Sequence, residues 1–573
     1  MDGSEPVGFQ PKERTREART GEWALLGGLS FVVFAAHMLV SGRYGYFVDE
    51  LYYIACSKHL AWGYVDQPPL IAVITWLERV TLGESLPALH FLPAVAAGLR
   101  VLLTGLIARE LGARRFGMVL ACVCVMAAPM YLGLDSLLTM NVFESLFWMG
   151  AALIALKIIN LETYQDIDSK SWHERPALQK QEPAARAEHG EENAGPFLRQ
   201  GKLKTRRYID VPLLWLLFGV VCGVGLLNKQ SMLFFGLGLF VGLLLTQQRK
   251  QFASPWIWVG GAIALLIFLP NLMWQANRHF PMLELLRNVQ ASGRNEEMGP
   301  LKFLVIQAVI FNPLTAPVWI AGLVELLRDR EGRGWRVLGI AYVVVMICML
   351  TMHGRMYYPA PAYGMLFAGG GVAFERWFGA IRSGRWLRPV YVAVIAVTGV
   401  LFAPFAYFPM LTVEQYMAYA KFWHYEPPRI ETHRMGPLPQ IYADQFGWKE
   451  MAQVVADAYH KLPPEEQKSC AIFGQNYGQA GAIDFFGEKM GLPAAISGHQ
   501  NYFYWGPRGY TGECMIVMDD RPERLHELFN SVELAGHVEH PLSMPHQHFD
   551  VYVCRKPKFG TLDAVWPKVK RWG

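Results

Sequence analysis

From residue 23 to residue 408 the chain alternates long apolar runs with short polar turns. Runs at 23–40, 89–107, 116–134, 142–159, 212–227, 232–245, 256–273, 303–323, 337–352, 362–378 and 390–408 are mostly long enough to cross a bilayer as helices, so about eleven transmembrane helices are expected. Counting these in turn puts the basic clusters at 12–19, 109–115, 202–207, 249–250, 328–336 and 376–388 all on one side. Cytoplasmic loops collect Lys and Arg, so the tail 1–22 reads as cytoplasmic and the C-terminus as outside. The apolar run at 23 is of spanning length and lacks a small-residue cleavage site, so it reads as the first span and not as a removable signal.

The shorter segments behave differently. Residues 51–61 and 70–80 are apolar at helical spacing but too short to span, and suggest helices lying along the interface inside an outer loop, 43–88. Residues 160–208 are charged and poor in apolar positions, which suggests a disordered cytoplasmic loop. Residues 409–573 return to soluble composition. Strands are expected at 469–473, 515–518 and 549–554, with amphipathic helices at 449–462 and 522–530, giving an outward-facing α/β domain. The fold class is therefore a polytopic α-helical membrane protein with a C-terminal α/β domain.

Composition narrows the reading further. Among 573 residues 52% are hydrophobic and 18% charged, below the quarter or so usual in soluble domains. The net charge of +5 is modest, and its basic residues sit in interhelical turns rather than in one patch, which argues against a nucleic-acid partner. Of the eight cysteines, Cys122, Cys124, Cys222 and Cys348 lie in apolar segments, where a small buried hydrophobe is the ordinary role. Cys470, Cys514 and Cys554 lie in the C-terminal part, and allow one disulfide with a thiol left over. Cys122-x-Cys124 lacks the partners a metal site needs.

Residues 44–70, YGYFVDELYYIACSKHLAWGYVDQPPL, carry the chemistry. Asp49 and Glu50 follow the first span directly, among Tyr44, Tyr46, Tyr52, Tyr53, Trp62 and Tyr64. A charge beside hydrocarbon is costly and calls for a reason. A solvated loop end accounts for one acid, whereas two among interfacial aromatics point to a site. A transferase acting with inversion needs a carboxylate to accept the proton of the attacking hydroxyl. Either acid can serve, with the other orienting the acceptor or holding a cation.

With GYVDQPPL and a late Gly-Arg-x-Tyr-Tyr loop, HGRMYYPAPAYG at 353–364, this acidic motif resembles the GT-C membrane glycosyltransferases. Within them it is most similar to the protein-O-mannosyltransferase and aminoarabinose-transferase-like group, over roughly 20–410. The segments NYGQAGAIDFFG (476–487) and SGHQNYFYWGP (497–507) resemble those of bacterial members with an extra soluble domain. The resemblance implies a polyprenyl-phosphate-linked sugar donor, a hydroxyl acceptor of unknown class, and Asp49 in the place of the catalytic acid. Relatives often carry a second acid before the fourth span. Here LLTMNVFESLFW puts Asn141 at that place, which can orient a hydroxyl but is no base, and Glu144 one turn on.

A departing polyprenyl phosphate needs cations near the outer leaflet. Arg355, Lys229, Lys58 and Arg294 are the candidates, and Tyr357 and Tyr358 are candidate donors to phosphate oxygens. The bland alternatives are snorkelling cations and an aromatic belt. Tyr53, Tyr64, Asp66, Asn141 and Glu144 are assigned to substrate binding. No cofactor is implied with certainty, and a divalent cation stays open. His37 reads as a packed histidine, and His537, His540, His546 and His548 lack tetrahedral spacing on one helix. No nucleotide-binding loop or nucleophile elbow occurs. The expected activity is an inverting glycosyltransferase at the outer face of a plasma membrane, the bacterial inner membrane, with membrane lipids around it. The alternative, a multi-pass transporter or lipid flippase, wants acids near the midplane and repeated halves, neither of which the chain displays.

Overall fold

The computed structural model describes residues 16–173, 196–293, 298–329, 332–426, 436–519 and 521–573, with the backbone alone for 16–19, 164–173 and 196–209. The basic positions Lys12, Arg14, Arg294 and Arg330, the acids Glu296 and Glu297, and the middle of the charged loop lie outside the described residues.

Every apolar run expected to cross is helical. The first is α1 (Arg16–Val40), followed by the short α2 (Val48–Lys58), α3 (Leu70–Thr81) and α4 (Leu86–Leu89). Then come α5 (Phe91–Glu110), α6 (Arg115–Met126), α7 (Pro129–Leu134), α8 (Met140–His173) and α9 (Pro196–Asn228). After these stand α10 (Met232–Leu244), α11 (Pro255–Ala276), α12 (Pro281–Ala291), α13 (Pro300–Ile310) and α14 (Ala316–Arg328). The bundle ends with α15 (Arg336–Thr351), α16 (Ala360–Ala380) and α17 (Gly384–Phe402). Among the described residues, six helices are long and apolar enough to cross a membrane, and eight if each of two bent pairs is one span. That is fewer than eleven, because several crossings are built from pieces. The run at 116–134 breaks at Ala127–Ala128, where Pro129 starts α7 and disfavours helical geometry in the residue before it. The run at 303–323 bends by 95° between α13 and α14, at a turn opened by Asn312 (φ 69°) and Pro313. The charged loop is also shorter than expected, since α8 and α9 extend into it on both sides.

One polar pair holds the bundle interior. Arg100 of α5 donates to both oxygens of Asp135, at 2.7 and 2.6 Å, and to the Val142 carbonyl at 3.2 Å. Its guanidinium lies over the Tyr131 ring, and both charged side chains are almost wholly buried. Asp135, expected in an outer loop, is instead the acid that makes an arginine tolerable inside a span.

The segment after α1 differs from expectation in one respect that matters. α2 starts at Val48, earlier than the expected 51, so Asp49 and Glu50 are its first turn, where carboxylates suit the helix dipole. It is not an interfacial helix: Glu50 to Ser57 are all buried, between the bundle and the C-terminal domain. α3 is the one that fits the interface, since Val73, Trp76, Leu77 and Val80 form an exposed apolar stripe at helical spacing.

The C-terminal domain has a four-stranded sheet in the order β1 (Cys470–Phe473), β2 (Cys514–Asp519), β4 (Phe549–Pro557), β3 (Phe529–Val538). β1 is parallel to β2 and the other pairs are antiparallel. β3 escaped the sequence reading because it is an edge strand, FNSVELAGHV, largely solvent-facing and without a clean apolar alternation. Cys470 and Cys514, in register on neighbouring strands, form a disulfide, and Cys554 keeps a buried thiol. One hydrophobic core runs through both parts, including Tyr52 and Ile54 of α2, Leu138, Trp448, Ala480 and Ile516.

That shared core depends on close approach of two helices. A Cβ at Gly478 would lie 2.4 Å from Val48 Cγ2, and one at Gly481 3.0 Å from the Leu51 carbonyl. Gly481→Leu is expected to push the helix Tyr477–Ala482 off α2, at the 1–3 kcal/mol or so typical of overpacking. The check is amide hydrogen exchange across Val48–Lys58, which should accelerate; unchanged protection would mean the docking does not rest on this glycine.

Candidate active site

Adjacent residues on a helix point about 100° apart, and in α2 this sends the two acids to different surroundings. Glu50 is fully buried. Its Oε2 accepts from the Phe47 N–H at 2.9 Å, closing the helix start, and its Oε1 accepts from the Leu138 N–H and faces His90 Nε2, both at 2.8 Å. His90 Nδ1 faces the Ser41 carbonyl at 2.9 Å, which can only accept, so that nitrogen carries a proton. Both oxygens of Glu50 are committed: Oε2 closes the start of α2, and Oε1 joins α2 to His90 before α5 and to the turn before α8. His90 was not anticipated, because a lone histidine near a span end gives no signal of its partner.

Asp49 is half-buried and takes a different neighbour: the Tyr477 phenol donates to its Oδ1 at 2.7 Å. Tyr477 comes from the C-terminal domain and lies parallel on the His499 ring, centroids 5.1 Å apart. Tyr52 stands 4.7 Å from the Tyr477 ring and donates to Asp66 Oδ1 at 3.1 Å. Burial pushes the Asp66 carboxyl up to about 7; the Tyr52 hydrogen bond opposes this and the charge of Asp49 adds to it. Tyr53 is buried beside both acids, and burial followed by their charges drives its phenol well above the usual range.

Other predicted members are elsewhere. Tyr64 is fully buried, its hydroxyl shared between the Cys56 and His59 carbonyls and accepting from the Ala61 N–H, so it shapes the loop and its polar group is committed. Lys58 is at the far end of α2, nine residues or about 13 Å along the axis from Asp49, and pairs with Glu488 at 2.7 Å. It does not join the other predicted cations.

Those form a second group. Lys229, between α9 and α10, donates to Asn141 Oδ1 and Glu144 Oε2, each at 2.8 Å, and Ser231 donates to Glu144 Oε1. The Lys229 ammonium lies 4.7 Å from the Tyr358 ring centroid and 5.6 Å from that of Tyr357. Burial alone would lower the lysine; the Glu144 carboxylate and the two phenols reverse this and leave it raised. Arg355 is half-buried in the same loop and close enough to act on the Tyr358 phenol. Seven residues from three separate stretches thus meet, six of them among the predicted ones. The turn 138–141 links the groups: its Leu138 N–H binds Glu50, and the Met140 carbonyl accepts from Asn228 beside Lys229.

Among the described residues no three His, Cys, Asp or Glu side chains converge as a metal site. His537 is paired with Asp550 at 2.7 Å, and His548 Nε2 faces the His540 carbonyl and Ser543, so these serve the local fold.

The family model described as dolichyl-phosphate-mannose-protein mannosyltransferase matches residues 209–274. No curated protein sequence matches the chain. Among solved structures, ArnT from Cupriavidus metallidurans bound to undecaprenyl phosphate is similar with a TM-score of 0.56 at 13% identity, covering 94% of this chain and 98% of that one. Its apo state gives 0.56 at 14%, with the same coverage. The Archaeoglobus fulgidus oligosaccharyltransferase in complex with Zn and sulfate gives 0.47 at 12%, covering 87% of this chain and 68% of that one. The near-complete two-way coverage extends to the C-terminal domain: the chain has the fold of ArnT, and one stretch of its membrane part matches the protein-mannosyltransferase family model.

Proposed function

We propose that this protein transfers a sugar, with inversion, from a polyprenyl phosphate to a hydroxyl acceptor at the outer face of the membrane. The acceptor oxygen attacks the anomeric carbon and its proton passes to Asp49. The bond from that carbon to the phosphate oxygen breaks, and its electron pair leaves with the polyprenyl phosphate. Lys229 and Arg355, with the phenols of Tyr357 and Tyr358, would stabilise the charge gathering on that phosphate. Asn141 and Glu144 orient Lys229, and Asp66, with its raised pKa, is suited to hold or pass a proton beside Asp49. Glu50 positions α2 and takes no part in proton transfer.

The observation that carries this reading is the adjacency, across one turn, of a carboxylate site and a cation–phenol site at the same ends of the helices. That the Cupriavidus ArnT is bound to undecaprenyl phosphate supports a donor of that class. The Cys470–Cys514 disulfide suits an oxidising compartment and so an outward C-terminal domain.

The test is full-length protein in nanodiscs, given labelled undecaprenyl-phosphate sugars in its native membrane extract, with release of undecaprenyl phosphate measured by lipid mass spectrometry. Lys229→Met is expected to reduce kcat/KM by about 10²-fold or more, the scale of losing one charge-stabilising donor. No release from any hexosyl or pentosyl donor would refute the reading, and an unimpaired Lys229→Met would remove the cation from it.

A further inference from the structure

The carboxylate site is not complete within the membrane part. Two stretches of the C-terminal domain enter it, and each reaches a different acid-bearing segment. From the first, Tyr477 opens a short helix whose glycines lie against α2, and its phenol meets Asp49. From the second, Asn501 donates its N–H to the Tyr52 hydroxyl and accepts from the Val65 N–H, both at 3.2 Å, next to Asp66. His499 ties the two stretches together. Its Nδ1 accepts the Tyr477 N–H at 3.1 Å while its ring lies within 4° of parallel to the phenol. The residue that follows, Gln500, has φ 49°, a left-handed backbone that costs a non-glycine residue on the order of 1 kcal/mol or more and persists only where the surroundings enforce it.

A carboxylate at the first turn of a helix rotates readily about two torsions. An O–H donor 2.7 Å away fixes one oxygen and with it the plane of the group. A phenol held by stacking on one side and by its own backbone on the other is a stiff donor. We propose that Tyr477 and His499 act as a positioning pair for Asp49, making the C-terminal domain a constituent of the active site and not an appended module. This rests on Asp49 being the proton acceptor of the reaction proposed above.

The titratable groups around Asp49 include Tyr477, with His499 stacked behind it, from the C-terminal domain, Glu50, Tyr52 and Tyr53 on α2, and Asp66 from the loop after it. Tyr477→Phe changes only the first, and keeps the ring that stacks on His499 and lies tilted against Tyr52. In full-length protein the expected result is a kcat lower by about tenfold to a hundredfold, with the KM for the undecaprenyl-phosphate sugar within about twofold. Losing the donor favours the protonated carboxylate, so the acid limb of the rate profile should move up by about one pH unit. His499→Ala should reproduce this, and His499→Asn, which keeps an acceptor for the Tyr477 N–H, should restore most of the rate.

A second readout does not need turnover. Infrared difference spectra of wild type against Asp49→Asn report the Asp49 carboxylate, and Tyr477→Phe should raise its titration midpoint by about one unit. An unmoved midpoint overturns the proposal, as does a Tyr477→Phe protein that loses melting temperature alone while each folded molecule keeps its rate. Absence of sugar transfer with a shifted midpoint counts against the proposed function and leaves the pair standing.

Discussion

Asp49→Asn is expected to lower kcat by about 10²–10⁴-fold, the range for removing a general base, with little change in donor binding. The substitution is a clean one here. Asn has nearly the same volume, and its side-chain oxygen still accepts the Tyr477 phenol, so the local packing should survive. What it lacks is a site for the acceptor's proton. Initial rates of undecaprenyl phosphate release decide the matter, provided the variant inserts and melts like wild type. A loss smaller than about tenfold would show that the hydroxyl is activated elsewhere, with Asp66 the first place to look.

The second large effect is on stability. Arg100→Leu should destabilise the protein by about 3–5 kcal/mol, because it leaves the Asp135 charge buried without its partner. Asp135→Leu should do the same to Arg100, whose guanidinium would lose its bidentate acceptor above the Tyr131 ring. The double replacement by leucine should recover most of the loss, because an apolar pair in an apolar bundle carries no desolvation penalty. Thermal unfolding of the detergent-solubilised protein measures each arm. If both single variants melt at the wild-type temperature, water must reach the pair and the charges are not desolvated. Either outcome bears on the rival reading of a transporter, in which an intramembrane acid would exchange protons; a locked bidentate pair is unsuited to that.

The helical spans and their turns were legible because they are local. A run of apolar residues must be helical in lipid, where each backbone polar group has to be satisfied within the segment, and every run located by composition is helical in the fold. The short strands at 470–473, 514–519 and 549–557 were located for a related reason: buried strands are continuous apolar runs. The breaks in two spans were less legible, since Pro129 and Pro313 each admit either a kink or an interruption.

The membership of the second group was half legible. Lys229, Arg355, Tyr357 and Tyr358 stood out as polar groups at outer helix ends, and Asn141 and Glu144 through the resemblance to GT-C enzymes. That all six converge, while Lys58 turns away to Glu488, follows only from how α8, α9 and α15 pack.

Residue order alone dictates which segments are apolar enough to leave water, which side collects the arginines, and that two acids stand where the first span emerges. It says nothing of which acid will face the site. Asp49 and Glu50 are one position apart and chemically alike, and they part company because a helix turns about 100° per residue. Glu50 then falls against His90 and Leu138, 40 and 88 positions away, and Asp49 against Tyr477, 428 positions away. Hydrogen bonds of that span depend on the docking of a sheet domain onto a buried helix, and only the folded chain brings their ends together.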